Sequence, residues 1–244
     1  MYGYGYRYNS GLVIGAGGGA PFANTKSLQF DAVDDYVNAG ASTLSGETAL
    51  TISAWVYPTA YGDATAPSFV STDAAAPRAF YLGLFNGNNF RFSLSTNGAN
   101  LTSLDTGIGT VDLNTWQHIL VTWNQVNLKL YKNGTLLKTV ATTFASNGTF
   151  TTTNDLLIGA RRSDAGFFNG NIDEVALFNR AVTPSEILTL STAPTVNLTD
   201  LNPLAWYRNG DGDTYPTITD NGSGGNDGTM TNMDAGDIVS DVPL

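Results

Sequence analysis

From residue 28 to residue 159 apolar and polar positions alternate with a period of two. Ile52, Ala54 and Val56 are interleaved with Thr51 and Ser53, Phe80, Leu82 and Leu84 with Tyr81 and Gly83, and Phe90, Phe92 and Leu94 with Arg91 and Ser93. Successive side chains of a strand point to opposite faces, so this pattern predicts strands with one buried face. Asn86-Gly87-Asn88-Asn89 separates the second run from the third, and Asn133-Gly134 separates residues 128–132 from 136–140. These residues tolerate the positive φ of tight turns, which makes both pairs hairpins. Antiparallel sheets with one wet face are the expectation. The pattern then changes once. Residues 172–178, Ile-Asp-Glu-Val-Ala-Leu-Phe, read as a strand, and Thr183, Pro184 and Glu186 follow at the spacing of a capping box. They predict a short helix that packs Ile187, Leu188 and Leu190 inward.

The stretch 168–190 resembles the closing segment of laminin-G-like, concanavalin A-like modules: a Gly, an apolar residue, Asp-Glu-Val, an apolar strand, Asn-Arg-Ala and a capped helix. Residues 27–37 are similar to the family's opening strand, 50–56 to its second and 116–123 to its central one, with 128–134 and 157–159 following in family order. The resemblance implies an all-β fold, a concanavalin A-like jelly-roll sandwich of two antiparallel sheets with short helical turns, over residues 27–192. Residues 1–26, which alternate Tyr with Gly and then run into Gly and Ala, form an N-terminal arm. Residues 193–244 form a linker and a strand segment.

Within that last segment, residues 204–229 resemble the part that usually precedes the opening strand. Circular permutation, the start of a second module, or completion of a neighbouring subunit would each account for this order. Leu204, Trp206 and Met230 are apolar residues in a Gly-rich acidic stretch, and exposing them forfeits about 25 cal/mol per Å². Leu204 to Tyr207 is therefore expected to form a strand beside residues 27–37, on its own or a neighbouring sandwich.

Charge narrows the partners. Eleven basic against 21 acidic residues leave a net charge of −10, which repels nucleic acid and anionic membrane surfaces. No cysteine is present, so the fold uses no disulfide. No stretch approaches the ~18 apolar residues of a membrane span, and the N-terminus lacks the pattern of a signal peptide.

Candidate chemistry is sparse. Glucanases of this fold carry two Glu and an Asp at near-alternate strand positions, whereas Glu47, Glu174 and Glu186 are far apart and the adjacent Asp173 and Glu174 would face opposite ways. His118 is the sole histidine and reads as a structural hydrogen-bonding group, so no catalytic residue is assigned and no enzyme activity is expected. Trp55, Trp116 and Trp123 lie in apolar strands and read as core. Tyr61, Phe167 and Phe168, near loops or strand ends, are the candidates for stacking on a sugar.

The family resemblance also implies a structural calcium, with Asp31 and Asp173 at the matching positions and Asp220 and Asn226 from the displaced segment as further ligands; ordinary turn capping is the competing role. Asn209, Asp211, Asp213 and Asp220 also match places 1, 3, 5 and 12 of an EF-hand loop. Thr214 there replaces the required Gly, and Pro216 interrupts the loop.

The functional expectation is a non-catalytic virion structural, appendage or decoration protein with a glycan-binding type of domain. Its partners would be other virion proteins, further copies of itself, and host-surface or other glycans, without nucleic acid or membrane. The support is the Tyr-Gly arm and a tail similar in style to appendage proteins of marine tailed phages. The alternative is a carbohydrate-binding module, extracellular or on a bacterial cell surface, and a glucanase is third.

Overall fold

The computed structural model describes residues 22–42, 44, 46–75, 77–142 and 149–244. The expected arm therefore lies outside the described residues up to position 21, as do residues 145–148. The strands are β1 (Ser27–Asp31), β2 (Tyr36–Ala41), β3 (Leu50–Pro58), β4 (Ser68–Ser71), β5 (Phe80–Leu84), β6 (Phe90–Leu94), β7 (Thr102–Asp105), β8 (Gln117–Trp123), β9 (Asn127–Lys132) and β10 (Thr135–Ala141). They are followed by β11 (Asp155–Ile158), β12 (Ala160–Arg162), β13 (Ala165–Phe167), β14 (Asn169–Phe178), helix α1 (Pro184–Thr192), β15 (Ala205–Tyr207), β16 (Thr217–Ile218), β17 (Gly228–Thr231) and β18 (Ile238–Val239).

Two antiparallel sheets result, the jelly-roll sandwich that the alternation and the resemblance predict. The first runs β10-β9-β8-β3-β14-β1-β18, with β15 also on β14, and the second runs β16-β17-β2-β11-β4-β5-β6-β7. Side chains of alternate positions meet between them: Leu28, Phe30, Ile52, Phe69, Phe80, Phe92, Val121 and Trp123 belong to one buried cluster. Asn133 and Gly134 take φ of 48° and 75° at the β9–β10 turn, as a tight hairpin requires.

A second apolar cluster covers the other face of the first sheet, where Leu120, Ala176 and Phe178 pack under Ile187, Leu190, Leu201 and Trp206. The capping box is present at Thr183 and Glu186. Leu188, expected inward, is 64% exposed, because the buried side of α1 follows Ile187, Leu190 and Ser191. Trp116, expected in the core, is only half-buried and donates its Nε1 hydrogen to Asp241.

The C-terminal segment joins both sheets of its own chain. Residues 205–207 form a strand as expected, but its partner is β14, with Val175 opposite Tyr207 and Leu177 opposite Ala205. The opening strand β1 already occupies the first half of β14, from Leu28 opposite Ile172 to Asp31 opposite Asn169, so β15 takes the remaining half. Contact with residues 27–37 is made further on, where β17 pairs with β2 and β18 with β1.

Candidate functional site

Four loops converge at one rim of the sandwich. Ala32 follows β1 and donates its amide to the Phe168 carbonyl at 3.0 Å; Thr59 follows β3 and donates its own to the Asn169 carbonyl at 3.0 Å. Gly62 bridges to Gly87, and it approaches Leu84 so closely that a Cβ would sit 2.5 Å from that side chain. Asp63 accepts the Thr65 amide at 2.7 Å through Oδ1, which closes an Asx-type turn in the loop. The tip of the β12–β13 hairpin completes the rim.

Together these segments enclose a cavity of about 450 Å³, lined by Tyr61, Asp63, Thr65, Asp164, Phe167 and Asn169 among others. Its size falls within the range of small-molecule sites. Tyr61 is 51% exposed. Phe167 is half-buried and is backed by Tyr36, ring centroids 6.5 Å apart. Tyr61 and Phe167, both expected from the sequence, are thus brought to one place. Phe168 is not, because it is 0% exposed and packs edge-on against Phe69 at 5.1 Å. Adjacent strand residues face opposite ways, so only one of the two rings can look outward. Asp63, Asp164 and Asn169 were missed by sequence reasoning. The signal available was turn chemistry, Tyr-Gly-Asp-Ala-Thr and Arg-Ser-Asp-Ala-Gly, in the two loops that end here.

The four residues expected to ligate calcium do not converge on one point: Asp220 and Asn226 are in contact, but Asp31 and Asp173 lie elsewhere. Asp31 forms an acidic knot with Asp34 and Asp35, one carboxylate oxygen of each lying within 4.8 Å of the others. Burial, and then the charge of Asp31, push the Asp35 carboxyl up to about 6. Asp31 pairs with Asn169, four residues from Asp173 along β14, or about 13 Å at the rise of a strand. Asp220 and Asn226 close their own loop: Asp220 accepts amides from Trp206, Gly222 and Asn226 at 2.8 to 3.0 Å. Asp211 and Asp213 are likewise used by their surroundings, Asp211 by Thr25 and Asp213 by Gly210 and Thr219.

Asp173 has different surroundings. The pairing of β14 with β3 slips between Asp173 and Ala176, and Glu174 adopts φ 48°, a β-bulge. Ile172 and Val175 remain in the main core, so the extra residue turns both carboxyls to the other face instead of to opposite faces. There Glu174 accepts from Trp206 Nε1 at 2.7 Å and Arg208 Nε at 3.4 Å. Asp173 accepts from Asn24 Nδ2 at 2.8 Å, and Asn209 Nδ2 donates to the Ile172 carbonyl at 3.2 Å. The amide oxygens of Asn24 and Asn209 are buried without a partner. Burial, and then the charge of Glu174, raise the Asp173 carboxyl well above the usual range. A buried carboxyl whose neighbourhood includes unpartnered amide oxygens suits a hard, oxygen-seeking cation once the carboxyl gives up its proton. The Asp173 surroundings therefore suit calcium better than Asp31, Asp220 or Asn226.

His118 lies near α1 residue Leu190. His118 Nε2 is 2.7 Å from Ser53 Oγ, and burial lowers the imidazole to about 3, so the ring is neutral. Nothing reaches this histidine from solvent, as it is 1% exposed. Among the described residues no helix is long and apolar enough to cross a membrane.

Comparison with known proteins supports the architecture. A stretch of 80 residues, 32% of this chain, is 36% identical to human adhesion G-protein coupled receptor D1, but it spans only 9% of that receptor. Among solved structures, a Bacteroides ovatus protein classed as carbohydrate-binding superposes with a TM-score of 0.64 at 16% identity, covering 86% of this chain and 59% of that one. The CBM40 domain of a Ruminococcus gnavus sialidase, bound to α2,3-sialyllactose, superposes at 0.56 with 15% identity, over 70% of this chain and all of that one. At such identities the likeness is one of fold. The laminin G model described as the concanavalin A-like lectin/glucanases superfamily matches residues 31–188, and the chain belongs to that family.

Proposed function

We propose that this chain is a non-catalytic glycan-binding module whose site is the rim cavity. The observation that carries the reading is the placing of Tyr61 and Phe167 around one cavity of about 450 Å³ with Asp63, Asp164 and Asn169. Aromatic faces receive the apolar faces of a sugar ring, and carboxylate and amide groups take its hydroxyls. The naming of the Bacteroides protein as carbohydrate-binding and the sialyllactose bound by the Ruminococcus domain are consistent with it. The absence of catalysis is supported by the engagement of Asp173 and Glu174 with Asn24, Trp206 and Arg208, away from the cavity. Titration against a panel of oligosaccharides should give saturable binding, weakened about tenfold by Tyr61→Ala, a loss typical of an interfacial anchor. Unchanged affinity in that variant would remove the cavity from the reading.

A calcium ion held by Asp173, Asn24 and Asn209 belongs to the same reading as a structural cofactor. It would supply the positive charge that this buried carboxylate lacks and tie the residues before β1, strand β14 and the loop after β15 together. A cation bound only by the folded state stabilises it by mass action. The melting temperature should fall on chelation and recover with calcium in the wild type, but not in Asp173→Asn. An identical transition with and without calcium would retire the site.

The larger setting proposed is a virion appendage or decoration protein, supported by the Tyr-Gly sequence of residues 1–26, since Tyr is a favoured interface anchor. Assembly with further copies that is lost on removing residues 1–21 would support this setting. A chain monomeric with and without them favours the extracellular or cell-surface module.

A further inference from the structure

Asp73 lies two residues beyond β4 with its side chain fully buried, and three guanidinium groups converge on one of its oxygens. Arg161 Nε is 3.0 Å, Arg162 Nη2 3.3 Å and Arg78 Nη1 3.4 Å from Asp73 Oδ2. Among the described residues the other oxygen receives only the Ala79 amide, at 3.5 Å. One carboxylate neutralises one guanidinium, so two positive charges remain unmatched here, in a chain with 11 basic residues and a net charge of −10. Among the described residues no second carboxylate forms an ion pair with these three arginines. The Nε hydrogen of Arg162 is buried without an acceptor, although an ionised donor shut away from water unpaired is costly. Arg161 is held in place, its guanidinium 4.0 Å from the centre of the Tyr81 ring and its Nη1 donating to the Thr65 carbonyl at 3.4 Å.

We infer that Arg78, Arg161 and Arg162 form a subsite for a compact oxyanion, a carboxylate or sulfate, carried by an acidic glycan. The carrier rests on the glycan reading of the rim cavity; the anion follows from the arginines. Guanidinium edges match the paired oxygens of these groups and hold them by charge-assisted hydrogen bonds. The patch adjoins the cavity, because Thr65, bonded to Arg161, also lines it, as does Asp164 two residues beyond Arg162. Asp63 and Asp164 repel an anion inside the cavity. A bound glycan is therefore polarised, with an uncharged ring against Tyr61 and Phe167 and its acidic substituent across the β12–β13 hairpin.

The test compares sulfated and desulfated forms of one oligosaccharide by calorimetry on the full chain. The expected result is affinity about tenfold higher for the sulfated form at low salt. The preference should disappear near 1 M salt, where charges beyond about 3 Å are screened. Arg162→Gln should bring the ratio of affinities close to one while Arg161 still partners Asp73. Equal affinities in the wild type, with the neutral form bound, overturn the subsite and leave the cavity reading standing; so does a preference that Arg162→Gln leaves intact. If neither form binds, the cavity reading fails, and the melting temperature in sodium sulfate against sodium chloride at equal ionic strength decides what remains. A sulfate-specific rise lost in Arg162→Gln assigns the patch to a free oxyanion and overturns the glycan form. A rise common to both proteins is general exclusion of sulfate from the surface and overturns the subsite altogether.

Discussion

His118 illustrates how a single residue couples burial to pH. Its ring bonds Ser53, its Nδ1 is buried without a partner, and its folded pKa is lowered by burial from 6.5 to about 3. Between those values the unfolded chain binds a proton that the folded chain excludes, so stability rises with pH across that window. The contribution of His118 is fully present above about 6.5 and is lost as pH falls toward 3. His118→Gln removes the titration and should flatten the stability curve between pH 3 and 6.5 relative to wild type, by about 1.4 kcal/mol per pH unit where the difference is steepest. Denaturant titrations at several pH values check this, and parallel curves for the two proteins would contradict it. At the same scale Phe167 and Phe168 mark a limit of the sequence. Both looked available for stacking, and alternation alone requires one in and one out without saying which. The wall formed by Phe30 and Phe69, distant in the chain, decides it.

At the scale of elements the strands were legible because their alternation is strict, and α1 because its cap is local chemistry. What was not legible depends on pairings between distant segments. The β14 bulge brings Asp173 and Glu174 to one face, which two adjacent letters in an apolar run cannot signal. Likewise β15 was expected beside the opening strand, yet that edge of β14 is shared end to end by β1 and β15. The arginines of the anion subsite come from positions 78, 161 and 162, and nothing short of the fold brings them to Asp73. The C-terminal segment yields a prediction here. Trp206, Tyr207, Ile218, Met230 and Met233 are all buried, and each large apolar side chain contributes about 1.5–3 kcal/mol. Their sum rivals the whole stability of a domain, about 5–15 kcal/mol. A chain ending at residue 202 should not give a cooperative thermal transition, whereas a truncated chain melting like the full one would contradict the packing described.

At the scale of the whole molecule, the sandwich holds its core between two sheets and leaves polar chemistry to the rims and outer faces. The rim cavity carries Asp63 and Asp164, the adjoining Asp73 cluster carries three arginines, and Asp173 lines neither; the roles proposed for them are sugar ring, acidic substituent and structural cation. The measurement that tests the central claim most directly is chemical-shift mapping of the isotopically labelled chain during titration with an oligosaccharide that it binds. The account predicts that the shifts centre on Tyr61, Asp63, Asp164, Phe167 and Asn169. Shifts confined to the α1 face or to the exposed edge strand β10, with the rim unmoved, would contradict it.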